Sequence, residues 1–322
     1  MNYKKYLNRI VVLLIPALLA TASRGFAEPE RLQVVTTTTD LAYIAAQVGG
    51  ERVTAQALLN GGDDPHYAQA RPDYIVKLNR ADVFVTVGLE LEIGWSPLIV
   101  QTSRNAKILG GGPGYCDASH GVRVLNRPRA QVTRAMGDVH ALGNPHYWTD
   151  PVNAAIVARN IRDALIRVNP AGRRVYETNF LAFHDRLKGL TQREMKKFAP
   201  YRGLRVAVYH QEFTYLAERF GIEVVAAIEE KPGVPPSAAY LKEIVDLLRT
   251  EDVRIILTAP FNDQSYARSV AEKIDGRVVR MPISVNSEAG VDTYEKTIEV
   301  MLERLRTAAD AQRAARKAGS VP

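Results

Sequence analysis

Histidines that follow a proline are the residues of this 322-residue chain best suited to chemistry. The tripeptide Pro-His-Tyr occurs twice, at His66 and at His146. A proline fixes its own φ at about −65° and favours an extended conformation in the residue before it, so each histidine follows a stiff stretch of backbone. A histidine held by rigid backbone in this way is well suited to act as a metal ligand. Two tripeptides that coincide by chance, or histidines that pack in turns, would give the same pattern, so the repeat alone leaves both interpretations open.

A third histidine, His210, joins these two as a candidate metal ligand. It follows a β-branched segment that predicts a strand, whereas His184 lies in a predicted helix beside charged residues and is expected to be solvent-exposed. Neutral imidazole binds Zn²⁺ at about 2.0–2.1 Å, and three imidazoles with one further ligand form a tetrahedral site. Nitrogen ligands favour zinc over manganese, which prefers carboxylate and carbonyl oxygens. The sequence therefore predicts Zn²⁺, with Mn²⁺ as the weaker candidate, at His66, His146 and His210.

The first 27 residues have the pattern of a secretory signal peptide. Basic residues precede an apolar run at positions 10–20, and small residues occupy positions 25 and 27. The apolar run is well short of the ~20 residues that span a bilayer. No cysteine lies near the expected cleavage point, which argues against a lipoprotein anchor. We expect an exported mature chain that begins at Glu28.

Net charge gives no reason to expect nucleic-acid binding. The whole chain has 42 basic and 35 acidic residues, a net charge of +7. Four of the basic residues and no acidic ones lie in the predicted signal peptide, so the mature chain keeps 38 basic residues and a net charge of +3. A charge this small is not typical of nucleic-acid-binding proteins. The single cysteine, Cys116, cannot form an internal disulfide and could be a small buried residue, an intermolecular link or a soft metal ligand.

Apolar strand-like segments alternate with amphipathic helical segments on both sides of one long helical stretch. In the first half the predicted strands are 33–38, 52–59 and 82–87, and the predicted helices are 41–48, 72–79, 91–104 and 151–168. In the second half the predicted strands are 205–209, 223–228, 254–258 and 278–281, and the predicted helices are 212–220, 237–250, 265–274 and 293–308. Asp40 and Ser237 are expected to cap two of these helices.

This alternation predicts an α/β fold with two (β/α) lobes, each built on a parallel sheet. The stretch 170–200, bounded by prolines, predicts a long rigid helix between them. We therefore predict a signal peptide over 1–27, an N-terminal lobe over 28–169, a linking helix over 170–200 and a C-terminal lobe over 201–322. Residues 110–143 interrupt the alternation and are expected to form a loop, and long loops in compact domains are usually functional or mobile.

Three motifs give the chain a specific family resemblance over essentially the whole mature sequence. Residues 64–73, 144–154 and 210–215 resemble the three ligand motifs of the cluster A-I periplasmic metal-binding proteins of ABC importers, the zinc/manganese solute-binding family. Histidine at position 210 is typical of the zinc-type members. The resemblance implies two lobes around a backbone helix, metal in the cleft, and delivery by a periplasmic monomer to an ABC permease in the inner membrane.

The chain departs from this family at the fourth ligand, which is commonly an aspartate. The matching position holds Ser284, and the next aspartate is Asp292. Water, Asp263 or Glu288 could fill the fourth position, and the sequence does not choose among them.

Some zinc members of the family also have a histidine-rich loop before the second motif. Here the stretch 110–143 offers only His120 and His140, and we interpret His140 as a loop residue rather than a permanent ligand. Glu230 could orient an imidazole or belong to a solvated loop. Trp148 is expected to support His146 from behind.

Three functions fit these residues. The first is a periplasmic zinc-binding protein of an ABC importer, and the second is a zinc chaperone that works without a transporter. The third is a zinc hydrolase, because three histidines and an open position also form catalytic sites, with Glu212 as a conceivable base. The chain has no His-Glu-x-x-His motif, which argues against the hydrolase. We expect no enzymatic activity, and turnover of an ester or peptide would show otherwise.

Overall fold

The computed structural model describes residues 31–128, 140–231 and 233–319. The predicted signal peptide at 1–27 and part of the predicted loop at 110–143 lie outside these ranges. Within them the chain forms two four-stranded sheets whose strands are all parallel. No helix in these ranges combines the length and the apolar character needed to cross a membrane.

The first sheet has the strand order β2-β1-β3-β4. Its strands are β1 (Leu32–Thr36), β2 (Val53–Ala57), β3 (Val83–Thr86) and β4 (Tyr115–Asp117). The helices that belong to it in the chain are α1 (Thr39–Gly49), α2 (Pro72–Asn79) and α3 (Ser96–Thr102). Because parallel strands need crossover connections, each strand is followed by a helix or loop that returns the chain to the starting edge.

The second sheet repeats this arrangement with the order β6-β5-β7-β8. Its strands are β5 (Arg205–Val208), β6 (Glu223–Ala227), β7 (Ile255–Thr258) and β8 (Arg277–Arg280). Its helices are α6 (Thr214–Phe220), α7 (Ala238–Thr250), α8 (Gln264–Lys273) and α9 (Tyr294–Gly319).

Two long helices connect the sheets, and local sequence explains where each begins. Helix α4 (Pro151–Val168) has proline at its first position, and the Asp150 side chain accepts a hydrogen bond from the Val152 amide at 2.9 Å. Helix α5 (Arg173–Phe198) is flanked by 3₁₀ turns that contain the two bounding prolines. It packs against α1, α4 and α9.

A single buried apolar cluster includes residues from both sheets and from α5. Val34 and Val85 of the first sheet belong to it, together with Val208 and Leu257 of the second sheet and Phe183 of α5. The neighbouring strand residues point to the opposite faces, since side chains alternate along a strand. Phe84 thus packs in a separate cluster with α2 and α3, and Ile256 in another with α7 and α8.

The structure confirms the α/β fold with parallel sheets and a long helix, whereas the predicted lobe boundaries stay predictions. Several element predictions were wrong. The stretch 110–143 contains the short strand β4, which has only three residues and too little pattern to detect. The predicted helix 91–104 extends only from Ser96 to Thr102, because residues 91–95 continue the turns that start at Leu89 and Glu90, where φ is 52° and 66°. The predicted helix 212–220 begins at Thr214 after a 3₁₀ turn.

The two predicted helix caps differ in outcome. Ser237 does cap α7, since its side chain accepts a hydrogen bond from the Tyr240 amide. Asp40 was predicted wrongly, because it lies inside the first turn of α1 and Thr38 occupies the cap position. The buried Asp40 carboxylate instead accepts a hydrogen bond from the Val285 amide at 3.2 Å, which joins α1 to the segment after β8.

Candidate metal centre

His66 lies in the loop between β2 and α2 and is held by its own neighbours. One oxygen of Asp64, Oδ1, accepts a hydrogen bond from the His66 amide at 2.9 Å and contacts the ring Nδ1 at 2.7 Å. The indole N–H of Trp95 donates to the Pro65 carbonyl oxygen at 2.9 Å. The stiff proline backbone, the aspartate and the tryptophan together fix the direction of this imidazole.

His146 repeats this arrangement just before α4. Oδ1 of Asn144 accepts a hydrogen bond from the His146 amide at 2.9 Å and contacts the ring Nδ1 at 3.0 Å. The Trp148 ring lies 5.3 Å from the His146 ring, centroid to centroid, and its indole N–H donates to the Ile283 carbonyl oxygen at 2.9 Å. The predicted support of His146 by Trp148 is confirmed.

His210 comes two residues after β5, and a carboxylate holds it from the neighbouring strand. Its Nδ1 lies 2.7 Å from Oε2 of Glu229. Glu230, the residue predicted from the sequence as a possible partner of an imidazole, was wrong by one position. The Glu229 amide donates to the Tyr209 carbonyl oxygen, extending the pairing of the two strands and fixing Glu229 beside His210. Glu230 is exposed.

The three histidines converge. Their ring centroids are 5.1 Å apart for His66 and His146, 5.4 Å for His66 and His210, and 5.2 Å for His146 and His210. One possible ligand atom from each lies within 4.8 Å of the other two. Because every Nδ1 faces an oxygen, Nε2 is the atom free to bind a metal. On His66 and His146 this atom is buried and has no hydrogen-bond partner in the described structure.

This donor set fits a transition metal. Histidine ligands in metal sites almost always donate the second ring N–H to a carboxylate, carbonyl or water, which fixes the tautomer and the ring orientation. Here an aspartate, an asparagine and a glutamate supply that oxygen for the three rings. Ligand atoms around a tetrahedral Zn²⁺ lie about 3.3 Å apart, so a small inward shift of the rings would complete the geometry.

Burial and charge set the protonation of these rings differently. Burial lowers the pKa of His146 well below its usual value, and His66, His210 and His140 lower it further. Burial also disfavours the charged form of His210, but Glu212, Glu229 and Asp64 outweigh it and raise the pKa of His210. His146 is therefore ready to bind a metal without losing a proton, whereas His210 tends to hold one.

Neither carboxylate proposed for the fourth position belongs to the close group of ligand atoms, which comes from His66, His146 and His210 among the described residues. Asp263 is exposed and accepts a hydrogen bond from the Ser265 amide at the start of α8. Glu288 forms an ion pair with Arg304. Ser284 is buried, and its hydroxyl hydrogen-bonds Asp40, which opposes the rise that burial causes in the pKa of Asp40.

Two other side chains reach the cluster, and the sequence analysis had not placed them there as ligands. Glu212 is fully buried, one of its oxygens accepts a hydrogen bond from Asn262 at 2.9 Å, and the other has no partner in the described ranges. His140 stacks on His66 with the ring centroids 5.2 Å apart. Its position in a loop was predicted, but its contact with the cluster depends on long-range packing that no local motif reveals.

The remaining candidates lie elsewhere. His120 is exposed, and the His184 side chain is 46% exposed on α5, as predicted. Cys116 is buried in β4, and burial raises the pKa of its thiol to about 12. Of the three interpretations of Cys116, the structure supports the small buried residue.

The space beside the histidines is small. A cavity of about 30 Å³ lies against His66, His210, Glu212 and Glu229. A cavity needs about 10–15 Å³ of such volume to hold one water molecule, so this space is large enough for a metal ion or a water.

Comparison with known proteins identifies the family of the chain. Residues 34–308 match the family model described as ZnuA, zinc-uptake complex component A periplasmic. The chain is 24% identical over 315 residues to the zinc-binding lipoprotein AdcA of Streptococcus pneumoniae, covering 94% of this chain but only 60% of AdcA. It is 25% identical over 282 residues to the manganese ABC transporter substrate-binding lipoprotein PsaA of Streptococcus pneumoniae, covering 86% and 88% of the two chains.

Solved structures support the same fold. A crystal structure of ZnuA superposes with a TM-score of 0.72 at 20% identity, covering 87% of this chain and 99% of that one. A zinc-bound deletion mutant of ZnuA gives a TM-score of 0.73 at 21% identity, covering 87% and 98%. Because the family model matches most of the chain, this protein belongs to the ZnuA family of periplasmic zinc-uptake components.

Proposed function

We propose that this protein captures Zn²⁺ with His66, His146 and His210 and delivers it to an ABC permease in the inner membrane. The observation that carries the proposal is the shared arrangement of the three imidazoles. Each has Nδ1 on a side-chain oxygen, and together they bring ligand atoms to one point. The metal is the cargo, so the site needs to bind it and later release it.

Zinc is the cargo that the donor atoms favour. The relatives' names include both zinc-binding and manganese transport proteins, so family membership leaves the metal open. Three imidazole nitrogens suit Zn²⁺ better than Mn²⁺, which prefers carboxylate and carbonyl oxygens. His210 supports the choice of zinc, because it offers a nitrogen ligand at this position. The carboxylate of Glu229 orients the His210 ring through Nδ1.

The surroundings of Glu212 favour a carrier over a hydrolase. A general base must be within hydrogen-bond reach of the proton that it abstracts. Glu212, the conceivable base, is fully buried and hydrogen-bonded to Asn262. We also propose that the chain works in the periplasm, since residues 1–27 have the pattern of a signal peptide. We propose that it does so as a monomer.

The test is zinc binding by the mature chain from Glu28 onward. The wild type should hold one zinc per chain that excess manganese does not displace. A variant with His66→Ala, His146→Ala and His210→Ala should hold none, while His184→Ala, which removes an exposed histidine, should match the wild type. Equal zinc binding by the triple variant would refute the ligand assignment. Hydrolysis of an ester or peptide by the zinc-loaded protein would refute the assignment as a carrier.

A second experiment separates the importer component from a stand-alone chaperone. Deleting the protein from its bacterium should reduce uptake of radioactive zinc from zinc-poor medium. The wild-type chain should restore uptake, and the triple-histidine variant should not. Uptake that stays normal without the protein would favour the chaperone.

A further inference from the structure

A fourth histidine, His140, has the same arrangement of ring nitrogens as the three proposed ligands. Its ring hydrogen-bonds the backbone of Glu90. Its Nε2 is buried and has no hydrogen-bond partner among the described residues, so the bond to Glu90 uses Nδ1. A buried polar atom without a partner is costly, and native structures keep few of them. A ring held at Nδ1 with Nε2 left free is the usual state of a histidine prepared to bind a metal.

This imidazole faces the cluster. Its ring stacks on that of His66 with centroids 5.2 Å apart and an angle of 29° between the planes, and it lies 6.4 Å from the His146 ring. Electrostatic interaction also links His140 to His210. The fourth ring thus lies against a group whose other three members already bring their ligand atoms together.

The backbone around His140 is anchored to the first lobe. The Ala141 amide donates to Oε2 of Glu90 at 2.9 Å, and the Gly143 amide donates to the His140 carbonyl oxygen at 3.0 Å. Glu90 therefore binds this segment through both its backbone and its side chain. The backbone of Glu90 has a left-handed conformation, with φ of 66°, which is uncommon for residues other than glycine. Strained backbone of this kind persists where the surrounding structure holds it, commonly at binding sites.

We propose that His140 is the fourth ligand of the bound Zn²⁺, so that the metal is held by four imidazoles. This inference rests on the proposed function and adds the residue that completes the site. The ligand atoms of His66, His146 and His210 form the close group. His140 is not part of it, but its ring lies 5.2 Å from that of His66 and 6.4 Å from that of His146, centroid to centroid. The three would bind the ion first, and the segment 140–143 would then move inward to bring Nε2 into contact.

The competing candidate is Glu212, and its surroundings give it a different task. One of its oxygens is already bound to Asn262, and the residue is fully buried. Four neutral imidazoles leave the +2 charge of zinc uncompensated, and a buried charge is stable only when opposite charge lies near it. Glu212, Glu229 and Asp64 are the acidic groups whose charges act on His210. Glu212 therefore supplies balancing charge while His140 supplies the fourth nitrogen.

A site of four imidazoles also has a consequence for selectivity. An oxygen at the fourth position would suit Mn²⁺, whereas a fourth nitrogen makes the site still less favourable to it. Replacing His140 should therefore narrow the difference in affinity between Zn²⁺ and Mn²⁺, as well as weaken zinc binding.

The experiment counts imidazoles around the metal by X-ray absorption at the zinc edge. The probe is zinc itself, bound to the mature wild-type chain and to His140→Ala, His120→Ala and Glu212→Gln. The inference expects four imidazoles in the wild type and three in His140→Ala, still with one zinc per chain. Zinc affinity of His140→Ala, measured against a chromophoric chelator, should fall at least about 10-fold, the lower end for loss of a group that only orients a ligand. His120→Ala removes an exposed histidine from the same predicted loop, 110–143, and should match the wild type.

The outcomes separate this inference from the proposed function. Three imidazoles in the wild type, with His140→Ala unchanged in count and affinity, would overturn the inference and leave the carrier proposal standing. A count that changes in Glu212→Gln but not in His140→Ala would assign the fourth position to the carboxylate and also overturn it. A wild type that binds no zinc would overturn the proposed function itself. The wild-type count does not depend on how well any variant folds.

Discussion

Zinc capture should displace a proton from His210, and this displacement should extend to a higher pH than an ordinary imidazole would give. The acidic groups Glu212, Glu229 and Asp64 outweigh burial and raise the pKa of His210 above its usual value of about 6.5. His146 has the opposite shift and is already neutral. Metal binding requires neutral imidazole, so zinc must displace the proton on His210 before that ring can become a ligand.

The size of the effect follows from this count. One displaced proton changes zinc affinity about tenfold per pH unit, or about 1.4 kcal/mol. The sign is fixed, because affinity falls as the pH drops through the raised pKa of His210 and levels off above it. If all three imidazoles had the ordinary pKa, zinc affinity would be almost constant above about pH 7. As the pH fell below that value, the slope of the logarithm of the affinity against pH would approach three. Glu212→Gln removes the charge that contributes most to raising the pKa of His210. The zinc affinity of this variant should therefore begin to fall at a lower pH than that of the wild type.

The assay is isothermal titration of zinc into the mature chain between about pH 6.5 and 8, in buffers of different ionisation enthalpy, which yields the protons released per zinc. Glu230→Gln is the matched control, since Glu230 is the exposed neighbour of the carboxylate that orients His210. Its curve should coincide with that of the wild type. Identical curves for Glu212→Gln and the wild type, or a wild-type affinity that does not change over this range, would refute the reasoning.

Three further predictions concern positioning, packing and reactivity. Glu229→Gln should weaken zinc binding by about 10- to 100-fold, because the ring of His210 loses its charged partner, and a competition titration that found no change would contradict this. Arg219→Met should lower the free energy of unfolding in urea by about 1–3 kcal/mol, because the buried carboxylate of Asp150 loses the two hydrogen bonds of 2.8 and 2.9 Å that Arg219 donates and keeps only the one from the Val152 amide. Cys116 should resist thiol reagents at pH 8 in the folded protein and react after denaturation, because burial raises the pKa of its thiol to about 12, and rapid labelling of the native chain would count against its burial.

Local sequence signals predicted the elements that proline delimits. Helices 72–79 and 151–168 have the predicted bounds, since proline at the first position marks where each begins. The same stiffness drew attention to His66 and His146. Here the information lies within a few residues of the feature it predicts.

The parts that were missed depend on contacts across the fold. Choosing Glu229 rather than Glu230 requires the register between β5 and β6, which no short motif encodes. The place of His140 depends on the left-handed turn at Glu90, about fifty residues away in the chain. Strand β4 has three residues and owes its existence to pairing with β3. Each of these becomes visible only when distant segments are brought together.

The apolar cluster that runs through both sheets has a consequence for how the chain can be divided. Val34 and Val85 belong to the same cluster as Val208 and Leu257, with Phe183 of α5 among them. Half of the protein expressed alone would expose one face of this cluster to water, at about 25 cal/mol for each Å² of apolar surface. We therefore expect truncated halves to aggregate, and the whole chain to melt in one cooperative step despite its two-sheet design. Any rearrangement that hands over the metal must then occur in the loops around the histidines, with the interior unchanged.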